Sequence, residues 1–240
     1  MSGKTRLLAL VMSAGLVTAG LAGCGHGPGS TAPASSPSVT PTPTSTAPTQ
    51  ADLGRAMSRS VRAATGFHVA GKYTYPHARL TLDVGLLKSG TMAGSLVDNG
   101  EPIAATYVGG KMYAKVTHGF LAYLGKSREC RTICGEYVTA QPDQARGLLA
   151  SMGIASTENI LLHMATGAPA LTPVTFAGQP GYRWSLPGYA AGSYIVVGPL
   201  PQCLPLKVDV PGQFVLTFSQ WNQVRAPAPP PAAKVHKGPW

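Results

Sequence analysis

Apolar residues recur with a helical period just after residue 50. Thr49 followed by Asp52 resembles a capping pair, because a Thr side chain accepts a backbone N–H three residues on while the acid reaches back. The apolar positions that follow form one stripe, Leu53, Ala56, Met57, Val61 and Ala64. The stripe ends at Gly66, so the pattern predicts an amphipathic helix whose apolar side packs on another element.

Alternation of apolar and polar residues replaces the helical pattern after Gly66. Ten segments read as strands bounded by turn residues. They are residues 67–75, 79–87, 92–97, 102–108, 112–116, 174–177, 182–186, 193–197, 206–210 and 213–218. Links such as Asp98-Asn99-Gly100, Gly109-Gly110 and Pro211-Gly212 favour tight turns. Neighbouring strands joined by such links must be antiparallel, because parallel neighbours need long crossovers.

The middle of the chain interrupts this strand pattern. Residues 119–135 read as a loop, and apolar stripes over 145–152 and 160–164 predict two short helices. Glycines at 71, 85 and 94 lie within strand segments, which favours a bent sheet. The chain is therefore expected to be an α+β domain, a large antiparallel sheet of about ten strands with a few helices on one face.

The N-terminus predicts export. Lys4 and Arg6 precede an apolar run over residues 7–19, which is too short for a comfortable membrane span and is typical of a secretory signal. The Leu21-Ala22-Gly23-Cys24 stretch resembles the lipobox of bacterial lipoproteins, in which the cysteine sulfur receives a diacylglyceryl group. The resemblance implies that residues 1–23 are removed and that acyl chains on Cys24 anchor the protein to the extracytoplasmic face of the cell membrane. The alternative is an ordinary secretory signal with an unmodified Cys24.

Composition divides the rest of the chain. Residues 24–50 hold the anchor and a Pro/Thr/Ser-rich tether, which cannot bury enough apolar surface to fold. The domain is expected over residues 51–226, and a disordered Pro-rich tail over 227–240.

The chain is basic, with a formal charge of +10 from 19 Lys and Arg against 9 Asp and Glu. The positive residues are scattered and no nucleic-acid motif is present, so nucleic acid is not an expected partner. Attraction to an anionic membrane or wall surface and a merely basic surface both remain open.

Three cysteines remain besides Cys24, namely Cys130, Cys134 and Cys203. An exported domain permits disulfides, and three thiols allow one bond with one thiol left over. Closeness in sequence favours a bond between Cys130 and Cys134. Pairing of Cys203 with either of them is the rival. Zinc is not expected, because no His pair stands at ligand spacing near Cys130 and Cys134.

No motif for catalysis is present. The sequence lacks the patterns of serine hydrolases, zinc proteases, β-lactamases and P-loop enzymes, and the nine acids show no constellation. His68 and His163 read as surface or packing residues. The chain is therefore expected to be neither an enzyme nor a cofactor protein.

Several segments together resemble a known family. The lipobox, the tether, the helix, Phe67-His68-Val69, residues 107–113, 204–207 and 216–219 are similar to actinobacterial lipoproteins of the LppX/LprG, LolA-like group. That resemblance implies a half-barrel sheet covered by helices and, as in some members, an apolar cavity for an acylated lipid of the diacyl- or triacylglycerol type. The candidate cavity residues on the apolar strand faces are Leu82, Val84, Ile103, Tyr107, Leu216 and Phe218.

Two functions follow from this. In the first, the protein is an envelope lipoprotein that binds, and could transfer, an acylated lipid. In the second, the same apolar residues fill a solid core, and the domain is a non-catalytic interaction or structural module whose protein partner the sequence does not identify.

Overall fold

A computed structural model describes residues 48–75, 78–98, 100–123, 125–140, 161–162 and 171–237. The signal segment, Cys24 and the tether lie outside these residues, as do nearly all positions of the two helices predicted over 145–164. Residues 161 and 162 are described and are helical. The compact unit runs from Pro48 to the C-terminus and contains its own apolar core.

The first helix, α1, spans Gln50–Ala63 and begins as the sequence predicted. The backbone N–H of Asp52 donates to Thr49 Oγ1 (3.2 Å), and the N–H of Thr49 donates to Asp52 Oδ2 (3.2 Å). This reciprocal pair satisfies two N–H groups that would otherwise lack partners at the start of the helix. The stripe that includes Leu53 and Met57 is buried, so α1 packs on the sheet through its apolar side.

Twelve strands form one sheet. They are β1 Gly66–Tyr75, β2 Ala78–Leu87, β3 Met92–Asp98, β4 Glu101–Val108, β5 Lys111–Lys115, β6 Tyr137–Ala140, β7 Leu171–Phe176, β8 Gln179–Ser185, β9 Tyr194–Val197, β10 Pro205–Val210, β11 Phe214–Ser219 and β12 Val235–Lys237. Their order is β12-β6-β5-β4-β3-β2-β1-β11-β10-β9-β8-β7. All pairs are antiparallel except β12 with β6, which is parallel.

The fold class predicted from the sequence is confirmed, because the domain is a large open antiparallel sheet with few helices among its described residues. The two additional strands are β6 and β12. The segment read as a loop, 119–135, contains two short helices instead, α2 His118–Tyr123 and α3 Cys130–Ile133. Both are too short to show a helical period in the sequence.

The two faces of the sheet differ. The inner face, defined here as the face that packs on α1, carries alternate residues such as Val69, Leu82 and Leu216. The outer face carries the residues between them, among them His68 and Asp83, which lie 2.6 Å apart. His68 is therefore a surface residue of the outer face, as the alternation predicted.

Gly71, Gly85 and Gly94, the glycines predicted to lie within strands, allow other parts of the chain to approach the strand backbone closely. A Cβ at Gly71 would meet the backbone of Val215 and Leu216, and one at Gly94 would meet the backbone of Asp83 and Val84. At Gly85, on the outer face, a Cβ would lie 2.9 Å from a methyl group of Val224. Two of these glycines therefore bring neighbouring strands together, and the third admits the chain that follows β11.

The Pro-rich tail is ordered in its described part, so the prediction of disorder over 227–240 is wrong for residues 227–237. Val224, Pro227 and Pro230 are half-buried while the residues between them are exposed. A period of three is that of polyproline II, which proline adopts with little loss of chain entropy. Composition alone could not show these contacts, because they depend on where the rest of the sheet lies.

The tail passes six strands on its way from β11 to β12. Within residues 220–234 the chain makes a turn at 221–223 and forms the 3₁₀ helix Ala232–Lys234, so residues 224–231 are the part that can be extended. The start is fixed by Asn222, whose N–H donates to the carbonyl of Gly66 (2.8 Å). The end is fixed by the pairing of β12 with β6 and by an ion pair between His236 and Glu136.

Candidate functional site: the apolar layer between sheet and helix

The inner face and α1 enclose one apolar layer, to which all six candidate cavity residues belong. Leu82 and Val84 come from β2, Leu216 and Phe218 from β11, and the four are at most 4 % exposed. Ile103 and Tyr107 from β4 are half-buried and pack against the same layer. The structure thus brings the six residues into one layer across the sheet.

Side-chain alternation explains this placement. Leu82 and Leu216 both lie opposite Gly71 in the register of β2, β1 and β11. Because strand residues two apart share a face, one inward residue fixes the direction of every second residue on its strand. The inward set could therefore be predicted from the sequence once the strands were assigned.

The layer is wider than the helix that covers it. A helix of 14 residues is about 21 Å long and about 10 Å wide, whereas twelve strands make a face on the order of 55 Å across. Its apolar residues extend from β5 at Met112 to β8 at Trp184. The described helix α1 therefore packs on only part of an apolar face.

Charge is absent from the described part of this layer. Among the described residues Ser193 is the one buried polar or charged residue, and its hydroxyl donates to the carbonyl of Ala190 (2.6 Å). The layer can exclude water and hold apolar groups, but its described residues offer no acid or base for catalysis.

Cys203 belongs to the layer and is fully buried. Burial raises the pKa of its thiol to about 12, although a backbone hydrogen bond from Met57 of α1 opposes this rise. The thiol is therefore neutral at physiological pH and behaves as a small apolar group.

Trp184 is the residue of the layer that sequence reasoning missed. It is fully buried on β8, and its Nε1 is the buried side-chain nitrogen for which the described residues provide no hydrogen-bond partner. The alternation of Tyr182, Trp184 and Leu186 indicates that all three point inward. The sequence pattern does not show that the indole N–H lacks an acceptor.

A second, smaller apolar cluster lies beside β5 and β6. Val116, Phe120, Leu121 and Val138 form it, and Ile103 packs against both clusters. Cys130 and Cys134 border it and are joined by a disulfide, while Cys203 is free. The disulfide therefore belongs to the packing of α2 and α3 and not to the layer under α1.

An open groove of about 720 Å³ runs beside α1 and is lined by residues that include Gly54, Arg55, Ser58 and Leu162. Arg55 is paired with Asp52 at 2.7 Å. None of the six candidate residues lines this groove. Its lining mixes polar and apolar groups, and Leu162 packs against the apolar layer as well.

Two further properties bear on function. In the described ranges no group of three or more His, Cys, Asp or Glu residues could hold a metal ion. The same ranges contain no helix with the length and hydropathy that a membrane span requires.

Comparison with known proteins gives structural matches alone. No protein-family model matches the chain, and no curated protein matches its sequence. LprF from Mycobacterium bovis aligns with a TM-score of 0.50 at 14 % identity, over 75 % of this chain and 96 % of LprF. The Mycobacterium tuberculosis lipoprotein LppX aligns with a TM-score of 0.47 at 12 % identity, over 76 % of this chain and 100 % of LppX.

At such low identity the likeness to LprF concerns the fold. It extends over nearly the whole of LprF, and it agrees with the sequence segments that resemble the LppX/LprG group. The domain has the fold of LprF.

Proposed function

We propose that this chain is a lipoprotein of the cell envelope that binds an acylated lipid between its sheet and its helices. The observation that carries the proposal is the apolar layer, which is wider than α1 and holds no charged residue within its described part. Burial of each CH₂ group contributes about 0.8 kcal/mol, so a long acyl chain gains most of its binding energy from such a surface without any charged partner. The resemblance to the LppX/LprG group supports the same ligand class.

The ligand proposed is a lipid of the diacyl- or triacylglycerol type, and the six candidate residues are its proposed contacts. The proposal includes transfer between membranes, for which the Cys24 anchor and the long tether would place the domain. Nothing in the described layer supports catalysis, and we propose no reaction.

A solid core is the second candidate, and one observation favours it. Leu82, Val84, Leu216 and Phe218 are at most 4 % exposed, as expected for residues that pack on one another. The protein would then act through its surface, as an interaction or structural module of the envelope.

Substitutions in the layer separate the two candidates. Leu82→Trp and Ile103→Trp add volume to the inner face and should lower uptake of a labelled diacylglycerol about tenfold, because overpacking costs on the order of 1–3 kcal/mol. Uptake is measured with residues 48–240, which form one compact unit.

The matched controls carry the same new side chain one position away. Thr81→Trp and Ala104→Trp lie next to Leu82 and Ile103 but point to the outer face. Circular dichroism checks that all four variants fold. If the inward and outward variants take up lipid equally well, the acyl chain does not lie in this layer.

A further inference from the structure

Trp184 lies on the inner face of β8, one strand from the β7 end of the sheet. In the register it stands between Leu171 of β7 and Ile195 of β9. Ile195 is fully buried, as is Trp184 itself, so the indole is surrounded by the apolar layer.

The indole N–H of Trp184 has no acceptor among the described residues. Trp221 shows the ordinary arrangement, since its Nε1–H donates to the carbonyl of Pro205 at 3.0 Å. Burying a donor without an acceptor costs free energy, and buried indole N–H groups usually find a partner. An acceptor that enters the layer with a ligand would satisfy this donor.

The acceptor must be compatible with an apolar, uncharged layer. A carboxylate would bring a buried negative charge for which the described layer holds no cation, and burial of an unpaired charge is strongly unfavourable. An ester carbonyl accepts a hydrogen bond and remains neutral. Alkyl chains and ether-linked lipids either lack an acceptor or offer a much weaker one.

We propose that Trp184 Nε1–H donates a hydrogen bond to an ester carbonyl of the bound lipid. This rests on the proposed function and deepens it, because it selects acyl esters over ether-linked lipids of the same chain length. Trp184 is then the polar contact that fixes the ester group along the layer, while the six apolar residues hold the chains.

The test compares two lipids that differ in the carbonyl alone, 1,2-dioleoylglycerol and 1,2-di-O-oleylglycerol. Trp184→Phe keeps the aromatic ring and removes the donor. We expect it to weaken binding of the ester lipid about three- to tenfold and to change binding of the ether lipid less than twofold. Trp221→Phe, which removes an N–H already bonded to the protein, should change both affinities equally.

A second measurement does not depend on how the Phe variant folds. In ¹⁵N-indole NMR spectra of residues 48–240, the Trp184 resonance is assigned by elimination with the Trp221→Phe and Trp240→Phe variants. It should move downfield with the ester lipid and not with the ether lipid.

The outcomes are distinct. Equal losses for the two lipids in the Phe variant, or equal indole shifts, would overturn the role of Trp184 while leaving lipid binding in place. No binding of either lipid to the unsubstituted chain would overturn the proposed function, and this inference with it.

Discussion

At the scale of single residues, the three described cysteines have two different environments. Cys130 and Cys134 share a disulfide beside the second cluster, while Cys203 is buried next to α1. The thiolate is the reactive form of cysteine, and burial raises the pKa of Cys203 to about 12, so almost none of it is present near neutral pH.

A thiol count tests these assignments. Residues 48–240 treated with iodoacetamide at pH 8 should react at no cysteine while folded and at one, Cys203, after unfolding without reductant. Peptide mapping under non-reducing conditions should then recover Cys130 joined to Cys134. A crosslinked peptide that contains Cys203 would contradict the pairing.

Cys24 lies outside the described residues, and its role stays a prediction from the lipobox. In the intact precursor, Cys24→Ser should move the mature protein from the membrane fraction to the soluble fraction, because two acyl chains provide the proposed anchor. Cys203→Ser, which removes a thiol that the lipobox does not involve, is the control and should stay with the membrane. Intact mass gives the direct check. A parent protein that carries no added lipid would refute the anchor.

Residue-level prediction from sequence worked where the cause is local. The capping pair of Thr49 and Asp52 and the outward direction of His68 follow from neighbours in the chain, and both are present in the structure. The orphaned indole of Trp184 could not be predicted, because a hydrogen-bond acceptor comes from segments that are distant in sequence.

At the scale of elements, the tail is the main addition to the sequence-based account. Its strand β12 pairs with β6 and is the last strand at that end of the sheet. A very short edge strand offers few unpaired groups for association with other chains, and β12 has three residues. The strands β6 and β12 have four and three residues, too few for a clear alternating pattern.

Deletion of residues 226–240 tests the importance of the tail. It removes the pairing of β12 with β6 and the ion pair of His236 with Glu136, a loss on the order of 2 kcal/mol. For a domain of this size we expect Tm to fall by about 4–8 °C in differential scanning calorimetry.

The control for that deletion removes only residues 238–240, which follow β12. Its Tm should match that of the full chain. Size-exclusion chromatography gives an independent result, since the exposed β6 edge should promote dimers in the longer deletion alone. Equal Tm values for the two deletions would show that the tail does not stabilise the sheet.

At the scale of the whole domain, the two faces of the sheet have separate roles. The inner face carries the apolar layer and α1, whereas the outer face carries polar pairs such as Lys207 with Asp209, whose charged groups lie 2.9 Å apart. This division places any apolar ligand on the α1 side.

The arrangement of the sheet could be predicted from the sequence in more detail than the function could. Alternation identified ten strands and the inward residues, and the motifs identified the fold. Whether the inward side chains enclose a cavity depends on how residues from many strands pack together. The pattern of residues along the sequence does not determine that packing.

The central claim is that the folded domain holds an acylated lipid. Native mass spectrometry of delipidated residues 48–240, incubated with diolein and triolein, tests it most directly. We predict a complex of one lipid per chain that is depleted in Leu82→Trp and retained in Thr81→Trp. A spectrum that shows only the lipid-free chain with every lipid would contradict the claim and favour the solid-core interaction module.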